Sequence, residues 1–285
     1  MLRALVALSA LLGLSACVRH AKPAPAAPLA SPTPTPSPTP EAKRPPPEMI
    51  EILAGLWTRG RDDGPADEKP KKTLDQGAFW IDTMEADVWA YGECVKAGAC
   101  TVPAKGELCN FGVAGRDQHP INCITWVQAE AYCKFRQKRL PTEAEWEKAA
   151  RSAKDRPYVW GDAWPPPPGA GNFADTAARL QHPYWTTIAG FDDGAADTAP
   201  VDSDTDRTEQ GVLNMAGNVA EWVADVYDPR GYVENAPKKG KMHLLRGASF
   251  GQDREPELRV THRSPYDQGH ASAHFGVRCA RGGPP

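Results

Sequence analysis

One short run, Asn214-Met215-Ala216-Gly217-Asn218-Val219-Ala220-Glu221-Trp222, brings together a side-chain amide, backbone carbonyls beside a glycine and a carboxylate. Mixed oxygen ligands at such spacing suit Ca2+, a hard cation with flexible coordination. A turn feeding a packed strand would use Gly217 and Trp222 equally well. Three histidines, His262, His270 and His274, gather near the C-terminus. The last two stand four apart, which joins two ligands only on a helix. Gly269 and Gly276 argue for loop and strand instead, so these imidazoles read as surface or packed side chains. Ser249, Glu257 and His262 form the set from which a divergent enzyme would be built. No H-E-x-x-H or phosphate-loop pattern occurs in the sequence, so zinc-protease or nucleotide chemistry has no positive support.

The chain has seven cysteines. Cys17 stands apart near the N-terminus, leaving Cys94, Cys100, Cys109, Cys123, Cys133 and Cys279. No C-x-x-C pair exists and the spacings match no common zinc pattern, so disulfides are expected rather than a metal knot. Counting alone leaves their pairing open.

The ends say where such a protein would work. Met1-Leu2-Arg3, an apolar stretch to Leu14, and then Leu14-Ser15-Ala16-Cys17 follow the order of a secretion signal. Cysteine directly after Leu-Ser-Ala resembles a bacterial lipobox, in which Cys17 is acylated and anchors the chain. Residues 1–17 are therefore expected to be a lipoprotein signal, and the mature protein to be exported to the cell envelope. Val18 in place of aspartate favours the outer membrane of a Gram-negative cell. Residues 18–47 are rich in Pro, Ala, Ser and Thr, including Pro32 to Pro40 in strict alternation. Such a run has little to bury and forms an extended tether, of which Lys22 to Pro47 reaches about 80 Å in polyproline II geometry. Residues 48–285 are read as one domain. A formal net charge of −3 gives no basic footprint, and nucleic acid is not expected as a partner.

Elements that must position these residues can be read coarsely. Met49 to Thr58 reads as an opening strand with a turn at Gly55, and Gly77 to Asp82 as the next, separated by a charged, turn-rich stretch. Asp87 caps a helix with Val88, Tyr91 and Val95 at helical spacing, ending at Gly98. Thr125 with Gln128, and Thr142 with Glu145, fit the capping-box pattern, so each opens a helix. The first helix would bury Trp126, Ala129 and Cys133, the second Trp146, Ala149 and Ala150. After Arg151 the sequence is loop-rich.

Three blocks, Arg139 to Arg151, Asn214 to Trp222, and Arg246-Gly247-Ala248-Ser249-Phe250 with the later Phe275-Gly276-Val277-Arg278-Cys279, resemble in order the sulfatase-modifying-factor domain, whose founding activity is formylglycine generation. The resemblance runs from Met49 to Arg281. It implies an irregular, loop-rich α+β fold, stapled by disulfides and distantly related to C-type lectins. It implies a Cys133–Cys279 bridge, and the remaining cysteines are expected to pair as Cys94 with Cys100 and Cys109 with Cys123. It implies Ca2+ held at Asn214, Gly217, Val219 and Glu221, and at Asn172, Phe173, Asp193 and Ala195. Family members bind copper through cysteines three and eight positions after the serine matching Ser249. Here those positions are Gln252 and Glu257, which supply no thiolate for Cu(I). An aromatic residue that walls the family's groove is Ala220. The expectation is thus a lipid-anchored domain that takes a peptide, protein or glycan without copper and without oxidising it. The alternatives are an oxidoreductase using other residues, or one in which Cys109 or Cys123 reaches the groove as a free thiol.

Overall fold

The computed structural model describes residues 48–151, 154–203, 206–233 and 239–282. Residues 1–47, where a leader, the lipidated Cys17 and a proline-rich tether are expected, lie outside the described residues.

Alternation of apolar and polar residues creates the first sheet. In β4 (Phe79–Asp82), Phe79 and Ile81 are buried while Trp80 between them is 38% exposed, the period-two signature of a strand with one face in the core. It pairs antiparallel with β1 (Met49–Ile52) on one edge and β9 (Ala280–Arg281) on the other. The opening run is not a single strand. Gly55, at φ 141°, separates β1 from β2 (Gly55–Arg59), which pairs in a different sheet with β3 (Lys72–Gln76). β3 begins in the stretch that reads as charged turn.

The central sheet has four strands in the order β7 (Ser264–Asp267), β6 (Met242–Arg246), β5 (Ala220–Val226) and β8 (Phe275–Gly276). Both its faces are covered. Trp222 of β5 and Leu245 of β6 face a cluster with Tyr91, Tyr132 and Cys133, whereas Val223 and Leu244 face a second cluster with Trp146, Phe173 and Met215. Two apolar faces bury the central strands β5 and β6, and the sheet carries the candidate site on its rim.

Three helices arise where their caps predict them. Asp87 accepts the Ala90 amide at 2.7 Å and opens α1 (Val88–Lys96). Thr125 and Gln128 complete a capping box that opens α2 (Trp126–Phe135). Thr142 and Glu145 exchange the same pair of bonds, at 3.2 and 2.8 Å, ahead of α3 (Glu143–Arg151). Each cap satisfies amides that have no partner within the helix. Trp126 is half-buried, its ring stacked on His243, while Ala129, Cys133, Trp146, Ala149 and Ala150 are buried. A fourth helix, α4 (Thr176–Gln181), stands in the region that reads as loop, with Asp175 as its cap.

All six cysteines of the described residues are paired: Cys94–Cys100, Cys109–Cys123 and Cys133–Cys279. The last joins α2 to the segment before β9 across 146 residues of sequence. Closing so long a loop stabilises the folded chain by on the order of 2–5 kcal/mol.

Candidate functional site

β6 delivers the chain to Gly247, whose φ of 93° and close approach to Trp146 exclude a side chain: a Cβ would lie 2.7 Å from the indole. The turn that follows presents Ser249, Gly251 and Gln252 to a cavity of about 230 Å3. Strand β7 adds Ser264 and Tyr266, and the connection into β8 adds His270, Ser272 and His274. Ala220, Leu245 and Phe275 complete the wall, and no Asp, Glu, Lys or Arg lines it. Two serine–histidine pairs border this space. Ser249 Oγ lies 3.0 Å from His274 Nδ1, and Ser264 Oγ lies 3.0 Å from His262 Nε2. His274 fits because Gly251 lacks a side chain; a Cβ there would lie 2.4 Å from the imidazole. Burial holds His274 below the usual histidine range, and does the same to His262, down to about 4.

Several sequence expectations change here. His270 and His274 do lie on loop rather than helix, His270 at the surface against Tyr266 and His274 packed on Phe250, and both line the cavity. Ser249, Glu257 and His262 are not assembled: Ser249 takes His274 as its partner, and His262 takes Ser264. Glu257 sits in the 3-10 turn Glu255–Leu258 beside Arg254 and is not among the residues lining the cavity, whereas Gln252 is. Folding separates the two because that turn carries Glu257 away from the Ser249 loop. The Cys109–Cys123 bridge removes the free-thiol alternative.

The two oxygen-rich sets meet at a bridge between Asn172 and Gly217. Gly217, at φ 84°, must be glycine, since a Cβ would stand 2.0 Å from the Asn172 carbonyl oxygen. In the first set, Glu221 is buried and already holds a cation. Arg278 Nε reaches both its oxygens at 2.7 Å, and Trp146 Nε1 donates to Oε2 at 2.7 Å. The Asn214 amide donates to Glu85 Oε2 and to the Val201 carbonyl, both at 2.9 Å. These donors leave Glu221 saturated, a poorer fit to a metal ion than its residue type suggests. In the second set, Asp193 accepts the Phe173 and Ala195 amides, each at 2.9 Å. Burial pushes its carboxyl up to about 7 against those two bonds. Asn172 Oδ1 is buried and has no hydrogen-bond partner. An orphaned amide oxygen beside a carboxylate without a cation is the donor chemistry that a hard divalent ion satisfies.

A family profile described as "Sulfatase-modifying factor enzyme 1-like domain" matches residues 34–282. The chain belongs to this family. Among its relatives, the formylglycine-generating enzyme of Streptomyces coelicolor is 36% identical over 177 residues, covering 59% of this chain and 54% of that protein. A mouse relative named "Inactive C-alpha-formylglycine-generating enzyme 2" is 32% identical over 174 residues, covering 59% of this chain and 51% of that protein. This chain thus spans about half the length of these curated relatives. PvdO from Pseudomonas aeruginosa superposes with a TM-score of 0.62 at 24% identity, over 82% of this chain and 94% of that one, which establishes the shared fold. The irregular α+β architecture, held by three disulfides, is that of the family.

Proposed function

We propose that this domain is a non-oxidising member of the sulfatase-modifying-factor family that binds a peptide, protein or glycan in the cavity beside Ser249. One observation carries the reading: Gln252 stands on the cavity wall where the family places a copper-binding cysteine, and every cysteine of the described residues is in a disulfide. Soft thiolate is what selects Cu(I), and a carboxamide does not replace it. A mouse relative carries the name "Inactive C-alpha-formylglycine-generating enzyme 2", which favours the same reading here. Purified protein should bind no Cu(I) tightly and leave a sulfatase-type cysteine peptide unchanged in mass. Conversion of that peptide to formylglycine would overturn the reading. The second reading, an active oxidase, draws on the identity to the Streptomyces coelicolor enzyme and requires residues other than Gln252 and Glu257.

The proposal extends to setting and support. Acylation at Cys17 would anchor the domain to the membrane of a bacterial cell envelope, with residues 18–47 as tether. Fatty-acid labelling that persists in Cys17→Ser would remove the anchor. Calcium would be a structural ion, with Asn172, Phe173, Asp193 and Ala195 as the set that best suits it. Asn214, Gly217, Val219 and Glu221 form the other set, where Arg278 competes for the carboxylate. When bound, the ion would neutralise buried carboxylate charge.

A further inference from the structure

Ser264 opens β7 and faces the cavity, and the contacts behind it continue inward. Its Oγ lies 3.0 Å from His262 Nε2, and the other ring nitrogen, Nδ1, lies 3.9 Å from Glu68 Oε1. Glu68 is buried, and its second oxygen accepts the Thr261 hydroxyl at 2.7 Å, which fixes the carboxylate with Oε1 towards the ring. Hydroxyl, near nitrogen, far nitrogen and buried carboxylate follow the order of nucleophile, base and orienting group. At 3.9 Å the second contact is longer than a hydrogen bond, as such contacts often are before a substrate tightens them. Burial keeps the imidazole neutral at neutral pH, the form that accepts a proton. Gln252 reaches the same cavity, and its buried Oε1 has no partner, so the fold makes no use of that atom.

We propose that Ser264, His262 and Glu68 form an acyl-transfer centre that hydrolyses uncharged esters of small acyl groups. Ser264 Oγ attacks the ester carbonyl carbon while its proton passes to His262 Nε2. The carbon–oxygen bond to the alcohol breaks, and His262 returns the proton to the departing alkoxide. Water, deprotonated by the same nitrogen, then attacks the acyl-serine, releasing a carboxylic acid and restoring the hydroxyl. Carboxamide N–H groups stabilise oxyanions, and the Gln252 amide is the side chain on this wall that offers them. Substrate class follows from the wall, which carries no formal charge and has room, at about 230 Å3, for a small group against Leu245 and Phe275. Glu68 is a positioning residue and touches no substrate. This activity goes beyond ligand binding and needs neither metal nor oxidant, so it stands or falls separately from the copper and calcium readings.

The test is a serine-directed fluorophosphonate on the purified full chain, with the adduct mapped by mass spectrometry and p-nitrophenyl acetate as substrate. Expected are one adduct, on the peptide carrying Ser264, its loss in Ser264→Ala, and a slowing of roughly a hundredfold or more in His262→Gln. Glu68→Gln should slow labelling about tenfold and shift its pH midpoint, with partial rescue by Glu68→Asp. A Glu68 with a merely structural role would lower the melting temperature without moving that midpoint. Absence of any adduct on folded wild-type protein, or an adduct on Ser249 or Ser272 instead, would overturn the proposal without requiring any variant to fold.

Discussion

Glu221, at the start of β5, and Asp193, in a loop, belong to the two segments that meet at the Asn172–Gly217 bridge; Glu221 is buried and Asp193 half-buried. Glu221 is matched by Arg278, a guanidinium with no solvent exposure that also donates to the carbonyls of Asp82, Leu213 and Asn214. Asp193 has only two backbone amides, and its carboxyl titrates up to about 7 as a result of burial. A buried charge must be paired or neutralised. The Glu221 segment therefore carries its own cation, and the Asp193 loop requires a proton or an imported ion. Similar residue types at similar spacing thus end in different electrostatic states, decided by whether an arginine from elsewhere in the chain, here Arg278 between β8 and β9, reaches them. The self-balanced style extends along α3, where burial pushes Glu143 up but Arg246, Arg59 and Arg263 together hold it below the usual range.

The strongest way to break this contrast is Arg278→Met. It leaves Glu221 buried and uncompensated and should cost about 3–5 kcal/mol, a fall in melting temperature of roughly 10 °C. Adding Glu221→Gln should recover part of that loss. A single variant as stable as wild type would show that Arg278 does not balance Glu221. Next is the calcium response. At about a hundred times its Kd an ion adds roughly 2.7 kcal/mol, and Asp193→Asn should abolish most of that gain while chelation destabilises only the wild type. A melting curve indifferent to chelator would mean that Asp193 takes a proton rather than an ion. Loss of the response in Glu221→Gln instead would place the ion beside Arg278.

Protons sharpen the same comparison. His262 lies near the α3 network, and burial, helped by Arg246, depresses its pKa from 6.5 to about 4. The unfolded chain binds this proton first, so the stabilisation is complete above pH 6.5 and is lost as pH falls from there through about 4. The loss should be about 3 kcal/mol, measured as the difference between wild type and His262→Gln in stability at pH 7 and pH 4. Parallel pH profiles for the two proteins would rule it out. The smallest effect is expected at the cap of α2: Thr125→Ala should cost about 1 kcal/mol, independent of calcium. Calcium sensitivity of that cost would mean that the capping box and the ion site are coupled.

Local chemistry was readable before the chain was folded. Asp87, Thr125 and Thr142 announce three helices because a cap is a short-range bond between near neighbours. Cysteine content and family blocks led to the three bridges that the structure contains. α4 and β3 escaped because short elements bounded by charged residues carry little periodic signal, and the opening run split because one glycine sends its halves to different sheets. The identity of Gln252 and Glu257, and with it the absence of paired thiolates after Ser249, was determined by the sequence alone. Tertiary structure decided which histidine each serine meets, that Gln252 lines the cavity while Glu257 does not, and that Glu221 spends its charge on Arg278. Those pairings join residues from separate strands and loops. Their energy depends on burial and on distances of a few ångströms, which no local pattern encodes.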